Sequence, residues 1–287
     1  MSDAEFDAFR RTVRTGSGEI SYLDAGSGRP ALFVHGLGTN AHIWRNVIDQ
    51  LRGERRCIAL DLPLHGRSPA LAGKMTLPAL AEAVEDFCSA LDLTEIDLVT
   101  NDTGGAVGQI FVARHGHRLR TLTLTNCEAH DNLPNEAFAG TVALAREGKL
   151  APLAGRMLTD LAMSRSSGRG IGANFEHPDR LSDETLRDFL APVAGSAESI
   201  RRFEELLASL DPADLLAAET ELRKLKTPTL IVWGTADLHF ELKWAYWLRD
   251  AIPGATDVVE IDGGKLFFPY ERAGELVAAL RRHWNGN

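Results

Sequence analysis

Asp102 is the residue most able to do chemistry. It stands in the run Leu98-Val99-Thr100-Asn101-Asp102-Thr103-Gly104-Gly105-Ala106. That run reads as a buried strand, a sharp turn and then a helix, the arrangement that lifts one side chain off the end of a sheet. A carboxylate held there can attack a saturated carbon and form an ester with it. Gly104 and Gly105 let the following helix approach the strand closely. At a helix N-terminus the free N–H groups and the helix dipole favour an ionised carboxylate. The plainer role for such a residue is an N-cap of an ordinary helix.

A turn of this kind needs a sheet to project from, and the chain supplies one. Strand patterns fall at Glu19–Asp24, Ala31–Val34, Cys57–Leu60, Ile96–Val99, Leu122–Leu124, Thr229–Trp233 and Val258–Ile261. The short continuous apolar runs among them are typical of strands covered on both faces. Helical patterns lie between them, at about Ala41–Leu51, Leu80–Leu91 and Gly104–His115, with a last one at Glu271–Trp284. Alternating strands and helices predict an α/β fold: a mostly parallel central sheet with helices on both faces.

The rhythm breaks between residues 130 and 226. Only helical patterns recur there, at Ala137–Glu147, Leu153–Ala162, Asp183–Leu190, Ser199–Leu207 and Ala213–Leu225, with breaks at Gly168-Arg169-Gly170 and Pro192–Ser196. This predicts a core of residues 1–129 and 227–287 and an inserted helical cap of residues 130–226. An insertion after a strand's end points at the face where α/β sheets bind ligands.

Composition narrows the partners. The chain has 287 residues, 44% hydrophobic, with a net charge of −9. No basic patch suggests nucleic acid, and no apolar run reaches transmembrane length. The acidic N-terminus lacks the apolar stretch of a signal peptide. Cys57, Cys88 and Cys127 are too few and too scattered for a disulfide framework or a metal site. A cytoplasmic protein with a small-molecule substrate is expected, without nucleic-acid or membrane partners; a homodimer is left open. Gly104-Gly105 and Gly263-Gly264 do not form a dinucleotide fingerprint, so no cofactor and no metal are expected.

Five segments together resemble the α/β-hydrolase superfamily. They are His35-Gly36 after an apolar strand, Asp61-Leu62-Pro63-Leu64-His65-Gly66-Arg67-Ser68, the turn at Asp102, Trp233-Gly234-Thr235-Ala236-Asp237, and the glycine-rich segment before the last helix. Asp102 and Trp44-Arg45-Asn46 are similar to the haloalkane dehalogenase and epoxide hydrolase branch. The resemblance implies an α/β-hydrolase fold and Asp102 as nucleophile. It also implies an oxyanion hole from the backbone N–H groups of Leu37 and Thr103, with His35 and Asn101 close by. The acid that orients a catalytic histidine would be Asp237, or else Glu128 or Asp131.

The histidine itself is missing. Where the superfamily carries it, this chain reads Ile261-Asp262-Gly263-Gly264-Lys265-Leu266-Phe267-Phe268-Pro269. Lys265 takes the approximate place of the base, and an ordinary lysine is protonated at neutral pH. His239, two residues past Asp237, is the first substitute; His130 and His177 are others, and His283 reads as a surface residue near the chain end. The branch's other hallmarks are absent too. Thr103 stands where dehalogenases carry a halide-binding tryptophan, and Leu37 where they carry a second halide donor. Gly38 replaces the proline of epoxide hydrolases, and Tyr22, Tyr246 and Tyr270 all lie outside the cap. Trp244, Tyr246 and Trp247 read as helix packing rather than a substrate cage. Two functions follow: a hydrolase with Asp102 as nucleophile and an unconventional base, or a relative that has lost hydrolysis and serves as a ligand-binding protein, lyase or cyclase.

Overall fold

The computed structural model describes residues 1–168 and 170–286; Arg169, inside one predicted break, lies outside the described residues. Eight strands form one sheet: β1 (Arg10–Thr15), β2 (Gly18–Ala25), β3 (Pro30–Val34), β4 (Arg56–Leu60), β5 (Ile96–Asn101), β6 (Leu119–Thr125), β7 (Thr229–Gly234) and β8 (Ala255–Ile261). Their order is β1-β2-β4-β3-β5-β6-β7-β8. The pairings β1–β2 and β2–β4 are antiparallel and the rest parallel. Leu32, Phe33, Val34, Leu98 and Val99 are buried, as their apolar runs required. β1 carried no apolar signal. Its sequence Arg-Arg-Thr-Val-Arg-Thr suits an edge strand, where charges discourage further pairing.

Helices Leu77–Ala90, Thr103–His115 and Pro212–Leu222 pack side by side, and Ala273–Asn285 packs on Arg45–Leu51. The predicted last helix is observed as Ala273–Asn285, preceded by a short helix, Phe268–Glu271, that was not expected. The sequence direction reverses across β4-β3-β5, and ligands of α/β sheets bind at such a point. The loop after β3 and the turn after β5 meet there.

Among the described residues, only helices lie between β6 and β7. Glu136–Arg146 and Ala151–Thr159 pack mainly on Asp183–Ala194 and Ala197–Ala208, forming a cap. The insertion does not all belong to it: its last helix, Pro212–Leu222, packs on the core helix Thr103–His115. Pro192 does not break its helix as predicted, but sits inside Asp183–Ala194. A proline leaves the carbonyl four residues earlier without its helical partner. That carbonyl, of Asp188, accepts the Asn40 side-chain amide at 3.0 Å, which ties the cap to the core. Among the described residues no helix is long and apolar enough to cross a membrane.

Candidate active site

Asp102 follows β5 directly, with a left-handed backbone (φ 56°). Positive φ is costly for a residue with a Cβ and persists only where the surroundings impose it. Two bonds do so: the Asp102 N–H donates to Asn126 O at 2.8 Å, and Gly105 N–H donates to Asp102 O at 2.7 Å. The glycines fit as expected. A Cβ on Gly104 would strike the carbonyls of Val34 and His35, and one on Gly105 would strike Cys127. A Cβ on Gly36 would overlap the Asp102 carboxyl itself. Asp102 occupies the N-cap position of that helix, but its side chain makes no capping bond there.

Asp102 forms part of the floor of a cavity of about 400 Å³ between sheet and cap. Leu37, Gly38, Thr103 and Glu128 lie beside it; Phe138, Leu150, Leu153, Met157, Leu190 and Phe203 line the cap side. The space is therefore apolar above and acidic below. Among the described residues no lysine or arginine lines it, and no group of histidines, cysteines and carboxylates could hold a metal.

Three buried carboxyl groups converge. Asp102 is pushed well above the usual carboxylate range by burial, then by the charges of Glu128 and Asp237. The N–H groups of Thr103 and Leu37, the expected oxyanion donors, act in the opposite and weaker sense. The N–H groups favour the ionised form, as expected, but desolvation and like charge outweigh them. Burial raises Glu128 to about 7 and Asp237 to about 6. Glu128 Oε1 accepts the Thr103 hydroxyl at 2.7 Å, while its buried Oε2 has no partner. Asp237 accepts Asn126 Nδ2 at 2.6 Å and the His239 N–H at 2.7 Å.

The expected residues divide. Asp102, Leu37, Thr103, Glu128 and His239 all face the cavity. His239 is not turned toward Asp102. Its Nδ1 lies 3.2 Å from Asn135 Oδ1 and its Nε2 2.9 Å from Asn174 Oδ1. Both ring nitrogens thus face side-chain amide oxygens, and Asn135 Oδ1 also accepts the Phe138 N–H. Burial lowers the pKa of His239, in keeping with a neutral ring.

Lys265 is not on the cavity wall. Its Nζ donates to Ala173 O at 3.1 Å, and the next residue, Leu266, faces the cavity instead. Phe267 faces it too, so this stretch of the wall is apolar. Asn101 Nδ2 donates to Thr125 Oγ1 and to Leu266 O, both at 3.0 Å; it positions the wall and does not line it. His35 is fully buried. Its Nε2 accepts the Leu62 N–H at 2.9 Å and its Nδ1 faces Gly36 O at 2.8 Å, and burial lowers its pKa to about 4. It braces the loop that carries Leu37.

The remaining candidates lie elsewhere. His130 pairs with Glu219 and stacks on Trp247; Tyr246 pairs with Glu260. Asp131 and His177 are exposed. His283 packs by the backbones of Leu122 and Pro228, toward the opposite end of the parallel strands. Asn126, Asn135, Asn174 and Leu266 were not singled out from sequence; single amides and a leucine carry no spacing signal.

Residues 30–271 match the family described as alpha/beta hydrolase fold. A haloalkane dehalogenase of Agrobacterium fabrum (strain C58) is 34% identical over 284 residues, covering 93% of this chain and 88% of that protein. The 2-hydroxy-6-oxo-2,4-heptadienoate hydrolase of Pseudomonas putida is 27% identical over 253 residues, covering 84% of each. The solved structure of the haloalkane dehalogenase DatA from Agrobacterium tumefaciens C58 superposes with a TM-score of 0.80 at 23% identity, over 96% of this chain and 97% of that one. The sheet order, the turn at Asp102, the cap and these matches agree: the chain belongs to the alpha/beta hydrolase fold family.

Proposed function

We propose that the protein is a hydrolase of small, largely apolar organic molecules, with Asp102 as nucleophile. The observation that carries this is the Asp102 carboxyl itself. It is held by a left-handed backbone at the floor of the cavity, with the N–H groups of Thr103 and Leu37 interacting with it. In its ionised form it attacks an electrophilic carbon and becomes an ester. Water then adds to the ester carbonyl, and the same two N–H groups take up the oxyanion that forms. The apolar cap sets the substrate class, because it offers hydrocarbon contact and few polar partners. The Agrobacterium relative, a dehalogenase, is in keeping with ester-forming chemistry at an aspartate.

The test is a panel of alkyl halides, epoxides and activated esters, followed by mass analysis of the Asp102 peptide. An added mass on that peptide, or turnover that Asp102→Asn abolishes, is the expected result. No adduct and no turnover across the panel would overturn the reading. Leu266 on the wall favours a second reading, a ligand-binding or non-hydrolytic relative, since an apolar group occupies the inward position of that turn. Binding of the panel compounds without adduct or turnover would select it.

A further inference from the structure

The cavity floor carries carboxyl groups that no cation of the chain balances. Asp102 and Glu128 lie on it, and the charge of the buried Asp237 acts on both. Glu128 is 3% exposed, and its Oε2 has no partner. Among the described residues the cap half of the wall brings no ionisable side chain, and His239 is the one remaining ionisable group of the lining. Burial lowers its pKa, which favours the neutral ring. The Lys265 ammonium is turned onto Ala173 O. Buried carboxylates are otherwise paired with a cation or held by several hydrogen bonds; without either they take up a proton.

We propose that the cavity takes small apolar molecules that carry a fixed positive charge, and that the ligand itself supplies the counter-charge the floor lacks. The inference deepens the hydrolase reading and rests on it for the role of Asp102. A neutral hydrocarbon uses the cap and gains nothing from the floor, and an anion is repelled by it. A quaternary ammonium suits both halves. Its charge is attracted to Asp102 and Glu128, while its alkyl groups ask no hydrogen bond of the apolar cap. Phe138, Phe203 and Phe267 add rings of the kind on which such a cation rests.

The same charge prepares the nucleophile. In the empty cavity, burial and like charge keep a proton on Asp102. A cation beside the floor offsets the like charge and favours the carboxylate. The ligand brings one positive charge, the site gives one proton to water, and the carboxylate that attacks carbon is formed only when a charged ligand is in place.

Isothermal titration calorimetry of the full chain tests this with phenyltrimethylammonium and its neutral isostere tert-butylbenzene, at pH 5 and pH 8.5. At pH 8.5 the cation should bind about tenfold more tightly than the isostere, or better. At pH 5, where the floor keeps its protons, the preference should shrink severalfold while the isostere binds as before. At pH 7 the heat of cation binding should vary with the ionisation enthalpy of the buffer, because a proton is released. Glu128→Gln should lower the preference at pH 8.5 and leave the affinity for the isostere unchanged. An isostere that binds as well as the cation at pH 8.5 would overturn the proposal, as would failure of both to bind at millimolar concentration. A preference left whole by both Glu128→Gln and Asp102→Asn would place the charge elsewhere and also overturn it. Should Glu128→Gln not fold, Asp102→Asn and the pH dependence of the wild type carry the same test. These readings need no turnover, so failure of the hydrolase reading shows separately, as the absence of an Asp102 adduct.

Discussion

Replacing Glu128 by glutamine should change how the protein's stability depends on pH. The wild-type carboxyl shifts from an ordinary 4.5 to about 7 on folding. At 1.36 kcal/mol per pH unit, that shift of about 2.5 units corresponds to ~3 kcal/mol. For an acid whose folded pKa is raised, the stabilisation is full below the unfolded value, near 4.5, and is lost as pH rises through 7. At pH 8.5 the wild type must bury an ionised Glu128, whereas glutamine, of nearly the same shape, buries no charge. His35 and His65 are lowered by burial to about 4 and about 3 and act in the opposite sense, losing stability as pH falls below about 6.5. They are common to both proteins and cancel in the difference. Urea unfolding at pH 5 and pH 8.5 should therefore show the variant gaining about 2.5 kcal/mol on the wild type between the two pH values, with equal denaturant slopes. Parallel stability–pH curves for the two proteins would refute the placement of a raised, charge-burying carboxyl at Glu128.

Other substitutions test other parts of the site. Gly36→Ala pushes a methyl group into the Asp102 carboxyl, so adduct formation on the Asp102 peptide should vanish at a cost of about 1–3 kcal/mol in unfolding free energy. Thr103→Val deprives Glu128 of its hydroxyl partner and should cost about 1–3 kcal/mol at pH 8.5 and less at pH 5, read by the same urea titration. His239→Leu strips the partners from Asn135 and Asn174; melting should show a loss of about 1–3 kcal/mol while the Asp102 adduct still forms. An adduct that accumulates without turnover in a stable His239→Leu protein would make His239 the base. Leu266→His places an imidazole on the cavity wall and should speed breakdown of an Asp102 ester by ~10²-fold in single-turnover kinetics.

Asp102 was legible because a strand, an aspartate and two glycines in succession permit few other backbone paths. The sheet was legible because its strands are apolar on both faces, except β1, whose arginines hide an edge strand. Which residues of the turn after β8 face the cavity was not legible. With no histidine to fix the register, periodicity does not say which of Lys265 and Leu266 turns inward; the backbone of the turn decides that. Glu128, Asp131 and Asp237 could not be ranked from sequence, since their difference lies in burial and in a threonine hydroxyl 25 positions away along the chain from Glu128. The cap boundary failed for a related reason. Pro212–Leu222 looks like any other amphipathic helix until its partner, the core helix Thr103–His115, is known.

Lys265 belongs to a set of hydrogen bonds that fastens the cap to the core. Lys265 holds Ala173 O, the Phe267 N–H holds Asn174 O at 3.2 Å, and Glu271 accepts the N–H groups of Glu176 and His177 at 2.6 and 2.8 Å. With Asn40 on Asp188, these bonds rivet the later half of the cap to the core. Glu136–Arg146 and Ala151–Thr159 rest mainly on other cap helices. The start of that earlier half still meets the core, where His239 Nδ1 faces the N-cap Asn135 Oδ1 at 3.2 Å, so the core grips the cap at both ends of the cavity.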